Sequence, residues 1–198
     1  MKGEKFYLLL MSVVLIASML ATSVSAGSVF PDVEDNARYA QDVELTKQLG
    51  LLKGDNKGNF NPDSGITRAE FAAVVCRMMD GEESAKTFTD SGFSDVPKGH
   101  WATGYIAWAV KQGIVGGYGN GKYGPSDQVK YEQAIKMMVC AINMGDVALD
   151  AGGYPNGYIT AAKSIHLLDN VEGSVGKTIT RANIAVLVSN IERSDRLR

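Results

Sequence analysis

Thiols and imidazoles are scarce in this chain, with two cysteines and two histidines in 198 residues. A Cys/His zinc site takes about four such ligands, so it would need Cys76, His100, Cys140 and His166 all together with no paired ligand spacing among them, and none is expected. Cys76 and Cys140 both sit in helix-like apolar patterns, and the sequence leaves open whether they join in a disulfide or stay apart as buried thiols. Long apolar runs are missing beyond the first residues. The run from Phe6 to Ala21 follows Lys2 and Lys5 and leads to the small residues Val24-Ser25-Ala26. This is the layout of a secretory signal peptide over residues 1–26, too short for a confident membrane span. No cysteine directly follows the cleavage point, so a lipid anchor has no attachment site.

An excess of positive charge is lacking as well. Lys and Arg number 20 against 22 Asp and Glu, a net charge of −2 that becomes −3 once Lys2, Glu4 and Lys5 are cleaved away. Nucleic acid is thereby excluded as a partner, because its binding relies on a basic surface, and no membrane partner is expected after signal cleavage. Catalytic motifs are absent too: there is no G-x-S-x-G elbow, HExxH helix or Walker loop. Asp63 with Glu70, or Glu132 with Asp127, could be imagined as a glycosidase pair. No segment is left over to build a cleft around them, so neither an enzyme nor a cofactor is expected.

What the chain has is repetition. At an offset of 63, "FPDV" at 30–33 falls on "FSDV" at 93–96, Gly50 on Gly113, Gly54 on Gly117, Gly58 on Gly121, Phe60 on Tyr123, Pro62 on Pro125 and Ile66 on Val129. A fainter third copy runs from "GGYPNGYITAA" at Gly152 to "GKTITRANIAV" at Gly176, without the F-x-D-V opening and with a loop about three residues shorter. Each copy reads as helix, Gly-rich loop, helix, which predicts a mainly α fold of three helix-loop-helix repeats. Residues 27–84 hold the first repeat with a linker, 85–147 the second, and 148–198 the third with a short tail, "RSDRLR". The second helices place Phe71, Val74, Val75 and Met78, then Ala134, Met137, Met138 and Ala141, then Ile184, Leu187, Val188 and Ile191 at helical spacing. No one pair of helices can bury its own face, so the three pack around a shared core. The loops carry turn residues, with Phe60 and Tyr123 folding back onto the core. An EF-hand reading of Asp55, Asn56 and Asn59 fails, since Lys57 stands at a ligand position and the closing Glu is missing.

The stretch "ITRAE" at 66–70 returns as "ITRAN" at 179–183. Thr67 suits an N-cap and Glu70 can complete a capping box worth about 1 kcal/mol; Thr180 caps the third repeat in the same way. Arg68 and Arg181 are not explained by capping, because a helix N-terminus disfavours a cation. An arginine fork beside helix-start amides suits a visiting carboxylate. In the second repeat Lys130, Tyr131, Glu132 and Gln133 replace Thr67 to Glu70, so the fork is lost and Lys130 offers only a point charge. Trp101 and Tyr105, with Tyr154 and Tyr158 in the third repeat, are either sugar-stacking faces or core plugs, and Arg38 stands at the Trp101 position of the first repeat. Asp32 and Asp95 either fix a turn through loop amides or also touch a sugar hydroxyl. Gly54, Gly116 and Gly117 either allow positive φ and close backbone approach or simply satisfy the turn.

Together, F-x-D-V, an aromatic before the first helix, G-[IL]-[LV]-x-G, G-x-[FY]-x-P and [IV]-T-R-A-E resemble the S-layer homology domain in its set of three motifs, over residues 28–193. The second-repeat "VKYEQAIKMMVCAI" followed by "GGYPNGYI" is similar to a variant of the triplet in envelope proteins of anaerobic Firmicutes. The resemblance implies a pseudo-threefold helical trimer on the Gram-positive cell surface that binds a secondary wall polysaccharide, typically one carrying pyruvate ketals, in grooves between repeats. On that reading Arg68, Arg181, Trp101, Lys130, Asp32, Asp95, Gly54 and Gly117 are the polysaccharide-binding candidates, with no metal. With no cargo domain after the repeats, the alternative is a structural protein of the S-layer that assembles through contacts with other envelope proteins.

Overall fold

The computed structural model describes residues 29–194, so the expected signal peptide and the last four residues lie outside it. Eight helices occur among the described residues: α1 (Ala40–Gln48), α2 (Arg68–Met78), α3 (Glu82–Ala85), α4 (Thr103–Lys111), α5 (Tyr131–Ala141), α6 (Gly145–Asp150), α7 (Asn156–Ser164) and α8 (Arg181–Arg193). The first repeat contributes α1 and α2, the second α4 and α5, the third α7 and α8, while α3 and α6 are short connectors. None is long and apolar enough to cross a membrane.

Local chemistry sets the helix ends. At α2, Thr67 Oγ1 accepts the Glu70 amide at 3.2 Å and a Glu70 carboxylate oxygen accepts the Thr67 amide at 2.8 Å, the reciprocal box expected from "ITRAE". At α8, Thr180 accepts the Asn183 amide, but Asn183 turns its side-chain oxygen outward to the Glu172 amide. The helices α1 and α4 stop where Gly50 and Gly113 each adopt φ +71°, a left-handed turn that strongly favours glycine. The helices α2 and α5 stop ahead of Asp80 and Asn143 at φ 52° and 58°.

Packing passes from repeat to repeat. The helix α4 packs on α2, α7 on α5, and α1 on α8, so each first helix leans on the second helix of the preceding repeat and the last contact returns to the first. Arg193 of α8 closes the circuit with an ion pair to the buried Asp42 of α1 at 2.7 Å. Isolated bridges Thr67 to Gln128, Lys130 to Thr178, and Gly65 to Thr180 join the three loops in the same cyclic order. Ile66, Val129 and Ile179 are buried among these bridges. Every apolar second-helix position expected from the periodicity is buried. Phe60 and Tyr123 are fully buried, with Phe30 to Phe60 ring centres 5.3 Å apart and Phe93 to Tyr123 5.4 Å, both pairs tilted by 41°. The repeat relation therefore holds at the level of ring geometry.

Cys76 and Cys140 are free thiols and form no disulfide. Burial, assisted by Glu82, pushes the Cys76 thiol up to about 12.

Candidate binding grooves

Each second helix begins inside the loop of another repeat, and that placement builds the site. The Arg68 amide donates to Asp127 O and the Ala69 amide to Pro125 O; at the start of α8 the Arg181 amide donates to Ser64 O and the Ala182 amide to Pro62 O. Both arginine side chains leave their helix and enter the loop. Arg68 Nε donates to Tyr123 O and Nη2 to Gly116 O, both at 2.9 Å, while the guanidinium lies over the Tyr123 and Tyr118 rings. Arg181 repeats the pattern, Nε to Phe60 O at 2.8 Å and Nη2 to Lys53 O at 2.7 Å, over the Phe60 ring. Each first-turn arginine is thus held by two carbonyls and a π face, partners that carry no counter-charge. Burial lowers the pKa of Arg181, with Glu70, Asp32 and Asp55 pulling the other way.

Above each arginine lies a groove. The Arg68 groove, about 310 Å³, runs between the 114–118 loop and α5 and is bordered by Gly117, Gln133, Lys136, Met137 and Tyr154. The Arg181 groove, about 220 Å³, runs between the 51–54 loop and α2 and is bordered by Gly54, Glu70, Val74, Arg77 and Trp101. At the repeat offset the two are the same groove: Lys53-Gly54 matches Gly116-Gly117, Glu70 matches Gln133, and Val74 matches Met137. In both arginines Nη1 has no hydrogen-bond partner among the described residues. No fully buried side-chain nitrogen or oxygen there lacks one, so neither Nη1 is wholly enclosed. Tyr154 and Trp101, 51% and 56% exposed, stand at the mouths as aromatic faces.

The third position is closed. Tyr131 stands where the arginines stand, its ring packed against Gly173, where an added Cβ would collide with it. Arg38, at the position of Trp101 and Tyr154, reaches inward: Nη1 donates to Asn170 O at 2.8 Å, Nη2 to Asn183 Oδ1 at 3.1 Å, and the guanidinium pairs with Glu172 at 2.9 Å.

Of the sequence candidates, Arg68 and Gly117 meet in one groove, and Arg181, Gly54 and Trp101 in the other. Lys130 borders neither; its amide donates to Gln133 Oε1, and its side chain is exposed at the central bridge. Asp32 accepts the amides of Phe60 and Asn61, and Asp95 those of Tyr123 and Gly124, at 2.6 to 2.8 Å, so both clamp the loops from outside the grooves. Positive φ is not what Gly54, Gly116 and Gly117 supply, since none adopts it. Gly54 and Gly117 are instead crowded by the Phe30 and Phe93 rings, where a Cβ would collide, whereas Gly116 has open space. Tyr105 and Tyr158 lie inside α4 and α7 rather than ahead of them. Sequence reasoning did not single out Lys136, Gln133, Lys53, Arg77 and Tyr118. Their signal was available: Gln133, Lys136 and Met137 share one face of α5 by helical spacing. Asp55 holds the Lys57 and Asn59 amides and the Asn61 side chain. Among the described residues no group of three or more His, Cys, Asp or Glu could hold a metal.

The helical repeats thus present one groove twice. Two segments, residues 29–72 and 92–135, match the model of the S-layer homology domain. Each runs from just ahead of the F-x-D-V loop into the first turns of the second helix. The chain is 32% identical over 176 residues to a cell surface protein of Thermoanaerobacter kivui, across 88% of this chain and 22% of that protein. It is 34% identical over 139 residues to the cellulosome-anchoring protein of Acetivibrio thermocellus, across 67% of this chain and 31% of that protein. The S-layer protein sap of Bacillus anthracis is 27% identical over 137 residues, 68% of this chain and 16% of that protein. The chain thus spans less than a third of the length of each of these relatives.

Proposed function

We propose that this protein is a non-enzymatic cell-wall anchoring module with three S-layer homology repeats arranged as a pseudo-threefold trimer. It acts at the surface of a Gram-positive cell and binds an anionic secondary wall polysaccharide, of pyruvylated type, in the Arg68 and Arg181 grooves. The observation that carries this reading is the paired groove: an arginine fixed by two carbonyls at its base, a glycine that brings backbone close, and an exposed aromatic at the mouth. A carboxylate on a sugar meets a held cation at the base, and the sugar's C–H face meets Tyr154 or Trp101. Lys136 and Lys53 add charge beside each arginine, whereas the third groove, filled by Arg38, contributes no site. The surface-protein and anchoring-protein relatives support a place in the envelope.

Co-sedimentation of the mature protein with purified walls, before and after extraction of the secondary polymer, tests the reading. Binding is expected to follow the polymer. Equal binding to extracted walls would overturn it and favour assembly through protein contacts.

A further inference from the structure

A cavity of about 410 Å³ belongs to neither groove. It lies between the connector after α2 and the start of α4, with Glu82, Phe88, Thr89, His100, Trp101 and Tyr105 among its walls. Its volume is within the range of about 300–1,000 Å³ usual for small-ligand pockets. Trp101 borders both this cavity and the Arg181 groove. Below it, Arg77 of the groove donates to Glu82 at 3.0 Å and Tyr105 donates to the same carboxylate oxygen at 2.7 Å, so a hydrogen-bonded wall joins the two spaces. The charges around the cavity are mutually engaged: Glu82 with Arg77, Lys86 with Glu83. What faces the space is aromatic and hydroxyl surface, with the His100 and Trp101 rings 5.8 Å apart and Trp101 and Tyr105 6.3 Å apart.

We infer that this cavity is a subsite for an uncharged sugar of the same polymer chain whose anionic unit occupies the Arg181 groove, with Trp101 stacking between the two units. The inference rests on the anchoring function proposed above. Charge neutrality selects an uncharged unit, and the shared tryptophan selects a covalent neighbour over an unrelated ligand. The Arg68 groove carries Tyr154 rather than tryptophan at its mouth, so the extension belongs to one groove.

Tryptophan fluorescence reads this groove alone, because Trp108, the second of the two tryptophans, is 5% exposed and borders neither groove. Oligosaccharides released from the secondary polymer of purified walls, fractionated to one and to several repeating units, are titrated against the mature wild type, Thr89→Phe and His100→Ala. Thr89 is exposed, so the bulkier side chain fills the cavity mouth without entering the core. The wild type is expected to bind the longer fragment on the order of tenfold tighter than the single unit, about 1.4 kcal/mol. Both variants are expected to lose that advantage while keeping the single-unit affinity. Variants that retain the full length advantage overturn the subsite and leave the anchoring reading standing. A wild type that binds no fragment of any length overturns both.

Discussion

The Arg181 groove and the closed third groove are built on one scaffold and differ by an exchange of two side chains. In the first, an arginine lies at the base on Phe60 O and Lys53 O and tryptophan stands at the mouth. In the other, tyrosine lies at the base against Gly173, and an arginine enters from the mouth to Asn170, Asn183 and Glu172. Cation and aromatic have traded places. An arginine at the base is held by neutral carbonyls and borders the groove, whereas the arginine at the mouth is engaged by three partners, one of them a carboxylate. The exchange teaches that the repeat ring needs each junction filled but not filled in the same way.

The largest effect is expected from the base arginines. Arg68→Ala strips donors from the buried Tyr123 O and from the more exposed Gly116 O, and an unpaired buried group costs about 1–3 kcal/mol. Arg68 is 7% exposed and Arg181 more open, so equilibrium denaturation should show the greater loss for Arg68→Ala. Wall binding should fall to one site per chain in either single variant and vanish in the double variant, compared at a temperature where all remain folded. Full binding by both single variants would dismiss the arginines as ligands and leave them as junction residues only.

Reversing the exchange is the sharper experiment. Arg38→Trp with Tyr131→Arg restores at the third junction the pair found at the others. Calorimetric titration with solubilised polymer should rise from two sites to three, and Arg38→Trp alone should open the groove without adding affinity. A stoichiometry fixed at two in the double variant would show that the third loop, about three residues shorter, sets closure by itself.

Adjacent glycines separate packing from turn chemistry. Gly117→Ala drives a Cβ into the Phe93 ring and the Lys122 carbonyl, a form of overpacking that costs about 1–3 kcal/mol. Gly116→Ala meets nothing within 4 Å at ordinary φ and should leave the melting temperature near wild type. Equal losses at both positions would contradict the ring contact.

Much of this comparison could be read from residues alone, and the unread part has a physical cause. Helical spacing from Phe71 to Met78 and from Ile184 to Ile191 announced the core faces, and Thr67 with Glu70 announced the cap, because both are short-range patterns. The partners of Arg68 were hidden, since Tyr123 O and Gly116 O are backbone atoms 55 and 48 residues away and carbonyls leave no mark in a sequence. In the sequence Arg38 reads as a missing aromatic. Its inward reach to Asn183, 145 residues on, depends on ring closure between α1 and α8 and so appears only in three dimensions.

Acid should distinguish the open groove from the closed one by the smallest of these effects. Asp95 clamps the loop whose carbonyls hold Arg68. Burial pushes its carboxyl pKa up, but the amides of Tyr123 and Gly124 outweigh this, and the net value lies below that of an ordinary carboxylate. A depressed folded value means that the clamp's contribution is complete above the unfolded pKa of about 3.9 and fades as pH falls through the folded value. The third repeat lacks this aspartate; Asn183 there accepts the Glu172 amide at 2.7 Å and does not titrate. Amide protection at Tyr123 and Gly124, corrected for intrinsic exchange, should therefore drop as the pH falls below about 4 while that at Glu172 holds. In Asp95→Asn the drop should be absent and protection lower at every pH, because a neutral amide oxygen holds one of the two donors and carries no charge to lose. A parallel drop at Glu172 would mean that acid loosens the whole ring, so that the two kinds of groove share one stability.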